Sequence, residues 1–144
     1  MEPHVPDIIR VIQLVVAPVF LLTAVGTLIN ALNARLGRSV DRRRALEAEL
    51  ARGAGSDLDT ARAELARTGR RIRIVYLAIV FAVVSALLVC MMIAAAFVGA
   101  MFAQALSRTI AALFVLAMLA LIVSLLLFLR EIFLAVTTPR HVPR

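Results

Sequence analysis

Residues 11–34 read VIQLVVAPVFLLTAVGTLINALNA, with no charged side chain among them. The stretch exceeds the roughly 20 apolar residues that a helix needs to cross a bilayer. It also contains polar side chains and a glycine that, at about 100° per residue, lie mostly on one side of the predicted helix. This polar stripe consists of Gln13, Thr23, Gly26, Thr27, Asn30 and Asn33. Because lipid cannot satisfy side-chain amides, we expect the polar stripe to face another helix, a second subunit or water.

The composition of the whole chain indicates a membrane protein. Of its 144 residues 62% are hydrophobic and 17% are charged, and the mean hydropathy is +0.98. Two further uncharged runs, residues 74–107 and 109–129, are each long enough to span a bilayer. We therefore predict an all-α integral membrane protein with three transmembrane helices.

The arginines predict the topology. The chain has a net charge of +7 and contains no lysine, and most of its arginines lie in residues 35–73. The positive-inside rule places this segment in the cytoplasm, with the N-terminus outside and the C-terminus inside. The segment is rich in Ala, Leu, Glu and Arg, which favour helix, and Gly53 and Gly55 interrupt it. We predict that the first two transmembrane helices extend into the cytoplasm as an antiparallel helical hairpin.

These patterns divide the chain into seven segments. They are an external N-terminus over residues 1–7, a transmembrane helix over 8–34, the basic cytoplasmic hairpin over 35–73, a transmembrane helix over 74–103, an external turn over 104–109, a transmembrane helix over 110–130 and a cytoplasmic tail over 131–144. Small residues at three- to four-residue spacing in the second and third transmembrane helices favour close helix packing. They are Ala78, Ala82 and Ala86, and Ala117, Ala120 and Ser124.

The residues that could support catalysis are scarce. The chain has no phosphate-binding glycine loop, zinc-ligand cluster or nucleophile beside a base. His4 and His141 lie in opposite tails, and no acidic residue lies within a predicted transmembrane run. We therefore predict no catalytic, cofactor-binding or metal-binding residue, no cofactor, and a protein that is not an enzyme. Glu131 follows the third run beside Arg130, and we expect it to form an ion pair at the helix end.

A basic cluster within the hairpin is the second candidate site. It consists of Arg42, Arg43, Arg44, Arg70, Arg71 and Arg73. Arginines at this position contact anionic lipid headgroups, and they could also bind an acidic protein partner in the cytoplasm. No aromatic residues are interleaved with them, which disfavours nucleic acid as a partner.

The polar stripe is open to two interpretations. Its amides and hydroxyls could hydrogen-bond between helices, or they could line a neutral path through a ring of subunits. Because the stripe needs shelter from lipid, we expect a homo-oligomer. The preferred hypothesis is a channel-like membrane protein whose first transmembrane helix lines the path. The alternative is a membrane-anchored scaffold whose basic hairpin binds partners or anionic lipid.

The chain also resembles a known family. The segment IQLVVAPVFLLTAVGTLINALNARLGRSVDRRR at residues 12–44 is similar to the first helix of a bacterial family of small inner-membrane proteins classed as a domain of unknown function. RRIRIV at 70–75 and ALLVCMMIA at 86–94 resemble its second helix, and the resemblance extends over about residues 8–130. It implies a three-helix protein of the bacterial plasma membrane, and it implies no activity and no site residues.

Overall fold

The computed structural model describes residues 5–52, 58–102 and 106–136. They form three α-helices: α1 (Val5–Ala51), α2 (Leu58–Phe102) and α3 (Ser107–Val136). Each contains a segment long and apolar enough to cross a membrane, with a mean hydropathy of 2.2 in α1, 2.9 in α2 and 3.1 in α3. The predicted all-α architecture with three long apolar helices is confirmed, and by length and composition the chain is a multi-pass membrane protein.

The helices extend beyond the predicted transmembrane segments. α1 begins at Val5, with Pro6 in its first turn, where proline has no helical hydrogen bond to lose. It continues through Pro18 and through the predicted boundary at residue 34 without a break. α3 includes residues 107–109 of the predicted turn and residues 131–136 of the predicted tail. The glycine break at 53–57, the turn residues 103–105, and both histidines lie outside the described residues.

α2 is the central helix, packing against both α1 and α3. Contacts between α1 and α2 join Arg42 to Glu64 and Leu32 to Val75, so residue numbers fall along one helix as they rise along the other. The two helices therefore run in opposite directions. α2 and α3 also run in opposite directions, since Ala78 bonds Ser124 and Ser85 bonds Ala117.

Small buried residues bring α2 and α3 together. The buried positions on α2 recur at alternating spacings of four and three residues, the spacing of a helix seam. They are Ala78, Ala82, Ser85, Val89 and Met92. On α3 the matching positions are the predicted Ala117, Ala120 and Ser124. The Ser85 hydroxyl donates to the Ala117 carbonyl at 2.8 Å, and the Ser124 hydroxyl donates to the Ala78 carbonyl at 2.7 Å. These two bonds fix the register of the helix pair.

The three helices meet where the uncharged segments end. Leu32 of α1 and Val75 and Ala78 of α2 form a buried cluster, against which Leu127 and Phe128 of α3 pack. The pairing of α1 with α2 continues into the arginine-rich segment, where Leu46 is buried. On the α2 side of this pair, Leu65, Thr68 and Ile72 are half-buried. A single antiparallel pair of helices thus contains both the first two apolar segments and the charged segment between them.

Candidate functional site

The polar stripe lies on the outward face of α1. All six of its residues are exposed, whereas Val25 and Leu32, on the opposite side of the same helix, are buried against the rest of the chain. The side of α1 that packs is therefore apolar, whereas its uncovered side is mixed, with the polar stripe among the exposed apolar residues Ile12, Val16 and Val19. Lipid can surround these apolar side chains but cannot satisfy the amides of the stripe.

Hydrogen bonding divides the polar stripe into two kinds of residue. The Thr27 hydroxyl donates to the Thr23 carbonyl at 3.0 Å, and the Thr23 hydroxyl donates to the Val19 carbonyl at 3.3 Å. Both threonines are thus satisfied by their own helix. The side-chain amides of Gln13, Asn30 and Asn33 make no hydrogen bond to any described residue, and they are the groups that need a partner.

Gly26 in the centre of the stripe has open space around it. A Cβ atom built there would meet nothing within 4 Å among the chain's own described atoms. Packing within one chain therefore does not explain a glycine at this position. Small residues on a membrane helix allow the backbone of another helix to approach closely. Gly26 lies between the two threonines and one turn from Asn30, so close approach here would also bring a partner to the amides.

A third site lies where the three helices meet. Glu131 of α3 is only 3% exposed and binds an arginine from each of the other helices. Its Oε2 accepts a hydrogen bond from Nη1 of Arg35 on α1 at 3.0 Å, and its Oε1 accepts one from Nη2 of Arg71 on α2 at 3.0 Å. The Arg35 guanidinium also lies 5.0 Å from the centre of the Phe128 ring. We call these three charged residues the arginine–glutamate cluster.

The arginine–glutamate cluster was only partly predictable. The structure confirms that Glu131 forms ion pairs, but its neighbour Arg130 is exposed and the partners lie 96 and 60 residues away in the chain. Arg35 and Arg71 each stand beside the end of an uncharged run, and so does Glu131. Their common position near the ends of the uncharged runs is the sequence signal that could have predicted this cluster, provided that the helices are antiparallel neighbours.

The basic cluster is partly neutralised within the chain. Arg42 donates through Nε and Nη2 to Glu64 at 3.1 and 2.7 Å, and Arg43 donates to Glu47 one turn along α1 at 2.8 Å. Arg71 belongs to the arginine–glutamate cluster. The remaining three members, Arg44, Arg70 and Arg73, are exposed and form no ion pair with another described side chain. These three are the part of the basic cluster that is available to a partner.

In the part of the chain that the structure describes, the polar stripe, the arginine–glutamate cluster and the basic cluster all lack the composition of a metal centre. Among the described residues no group of three or more His, Cys, Asp or Glu side chains could hold a metal ion. The single cysteine, Cys90, is exposed on the surface of α2 rather than buried in the helix packing. The available chemistry is hydrogen bonding by neutral amides at the polar stripe and anion binding by guanidinium groups at the arginine–glutamate cluster and the basic cluster.

The fold and these sites define a small, all-α, multi-pass membrane protein with a basic helical extension. Residues 15–141 match a family model described as "Protein of unknown function (DUF2721)". Because the match covers most of the chain, the protein belongs to this family, which confirms the resemblance to a family of unknown function. No curated protein and no solved structure matches the chain.

Proposed function

We propose that the protein is a homo-oligomeric, channel-like membrane protein in which α1 of each subunit turns its polar stripe toward a shared axis. The observation that carries the proposal is the outward position of the stripe. Gln13, Asn30 and Asn33 would meet hydrocarbon in a lone subunit, where an unsatisfied amide costs several kcal/mol. Assembly around an axis removes this cost, because the amides then face water or one another.

The chemistry of the stripe defines the kind of path. A ring of subunits would place Asn30 and Thr27 in successive neutral layers along the axis. Although the threonine hydroxyls donate to their own helix, their oxygens can still accept hydrogen bonds from water. A path lined by neutral groups is expected to be weakly selective. The protein has no catalytic role in this proposal and acts without a cofactor.

The proposed location follows from the charges. The arginines of residues 35–73 favour the cytoplasmic side of a bacterial inner membrane for the hairpin. The N-terminus would then lie outside and the C-terminus in the cytoplasm. The three apolar segments give three crossings, which is consistent with this arrangement.

Replacing Asn30 with leucine is expected to abolish solute and ion flux in reconstituted vesicles, because it closes a polar layer of the path with an apolar side chain. Ala94→Leu is the matched control: Ala94 is also exposed but lies on α2, outside the polar stripe, and its replacement should leave flux unchanged. Native mass spectrometry of the same samples gives the number of subunits. Unchanged flux through an intact Asn30→Leu oligomer would disprove the path, and a wild-type monomer or dimer would leave no ring to form it.

A scaffold is the second candidate, favoured by the three unpaired arginines of the basic cluster. Here the polar stripe only joins helices, and Arg44, Arg70 and Arg73 bind anionic lipid or an acidic partner. Each basic residue near an anionic surface contributes about 1 kcal/mol, so the three together would contribute about 3 kcal/mol to binding anionic lipid or an acidic partner.

Changing Arg44, Arg70 and Arg73 together to glutamine is expected to abolish docking of phosphatidylglycerol vesicles onto the protein held in phosphatidylcholine nanodiscs. Nanodiscs expose both sides of the protein, so a change of membrane orientation cannot produce the result. The matched control changes the same three residues to lysine, which keeps the charge and should preserve docking. Docking that survives the glutamine changes would remove the scaffold's main support.

A further inference from the structure

We propose that Arg35 and Arg71 form a binding site for the phosphate group of an anionic phospholipid, at the level where the three helices meet. The phosphate would lie beside Glu131 rather than replace it. This inference rests on the proposed membrane location of the chain, and it does not depend on the path along α1.

The depth of the arginine–glutamate cluster fits a lipid headgroup. Arg35 directly follows the uncharged run of α1, and Arg71 lies three residues before the first residue of that of α2. On α3, Glu131 comes directly after Arg130, where the third uncharged run ends. Charged residues at the ends of membrane helices extend toward the headgroup layer. In a membrane, lipid phosphate groups would therefore be the nearest anions to Arg35 and Arg71 from outside the chain.

The cluster has more hydrogen-bond donors than its carboxylate accepts. Two guanidinium groups share one carboxylate, which leaves a net positive charge, and each arginine donates only one terminal N–H to Glu131. In Arg71 the neighbouring Nε is buried and has no partner in the described part of the chain. Because that Nε is buried, an anion from outside the chain can reach only the other unbonded groups, Nη1 of Arg71 and the remaining nitrogens of Arg35.

The site is also ordered and accessible. Stacking on the Phe128 ring holds the Arg35 guanidinium in place, so little further order is lost when a ligand binds. The Arg35 and Arg71 side chains are 36% and 37% exposed, whereas that of Glu131 is 4% exposed. A phosphate can thus reach both arginines while the carboxylate stays shielded behind them. Planar guanidinium groups match the geometry of phosphate oxygens, which favours a phosphodiester over a diffuse counterion.

The test measures lipid binding to the full chain in mild detergent by native mass spectrometry. Dioleoyl phosphatidylglycerol and dioleoyl phosphatidylcholine are added in parallel samples. Arg71→Lys keeps the positive charge but removes the planar group and one of its two terminal nitrogens. We expect about tenfold weaker binding of phosphatidylglycerol, the effect of losing one charge-assisted hydrogen bond. Arg130→Lys is the matched control, because Arg130 is exposed, lies next to Glu131 and is outside the cluster, and it should bind the lipid as the wild type does.

Three results would overturn the proposal. Equal binding by wild type and Arg71→Lys would show that charge alone attracts the lipid. Equal weakening by Arg130→Lys would show that the arginines act as a diffuse surface. Displacement of the lipid by excess inorganic phosphate would assign the site to a free anion.

Arg35→Lys, which removes the group stacked on Phe128, should weaken binding as Arg71→Lys does. The same spectra report the number of subunits, so failure of this site and failure of the proposed oligomer are distinguished.

Discussion

Replacing Glu131 with alanine is expected to lower the free energy of unfolding by about 2–4 kcal/mol. Removing one partner of a buried ion pair typically costs about 3–5 kcal/mol, because it leaves the other charge without compensation. Here both arginines are more than one third exposed, and water offsets part of that loss. The change also breaks the polar contact that joins α3 to α1, so α3 should separate from α1 first.

Glu64→Ala is the matched control for this prediction. Glu64 also binds an arginine across two helices, but its side chain is 43% exposed, so its loss should cost less than about 1 kcal/mol. Both variants can be compared with wild type by denaturant unfolding in one detergent, with a fluorescent label on α3 as the probe. Equal effects of the two changes would mean that the burial of Glu131 adds nothing to the stability that its ion pairs contribute.

Replacing Ala82 with leucine should destabilise the protein by about 1–3 kcal/mol, because it inserts a large side chain into a closely packed helix seam. Ala82 is fully buried between Ala78 and Ser85, both of which bond α3. A larger side chain must push α3 away, and the two serine–carbonyl bonds then lengthen or break. Such bonds contribute about 0.6 kcal/mol each in membrane proteins, which adds to the packing cost.

Ala94→Leu separates this packing effect from a general effect of leucine. Ala94 lies on the exposed side of α2 within the same apolar segment, and its replacement should leave stability within about 0.5 kcal/mol of the wild type. Thermal unfolding of both variants in the same detergent measures the difference. If Ala82→Leu were as stable as Ala94→Leu, α2 and α3 would not be held by close packing of small residues.

The candidate sites show how far sequence reasoning can reach. Helical periodicity placed Thr23, Thr27 and Asn30 on one side of α1, because the angle between residues on a helix depends only on their spacing. Periodicity gives no absolute direction, so it could not show that this side faces away from α2. It also could not show that the threonines bond their own helix while the amides lack a partner, since that depends on rotamers.

The basic cluster was predicted as a single surface of six arginines, and the structure separates it into arginines that form ion pairs and arginines that form none with a described side chain. The sequence could suggest the Arg43–Glu47 pair, which lies one turn apart on one helix. The Arg42–Glu64 pair joins two helices, so it depends on the register between α1 and α2. Which arginines remain for a partner is therefore a property of the packing.

By itself the sequence determined that the protein is helical and membrane-spanning, because the length and apolar character of a run of residues decide whether a helix can cross a bilayer. It also determined the small face of α3, whereas on α2 it predicted two of the small residues correctly but Ala86 in place of Ser85, which is the residue buried in the seam. Only the tertiary structure decided that α2 is central, that the polar stripe is left uncovered, and that Glu131 joins Arg35 to Arg71. The reason is physical: local spacing fixes each helix, whereas contacts between residues 60 and 96 positions apart exist only once the helices have packed in one register.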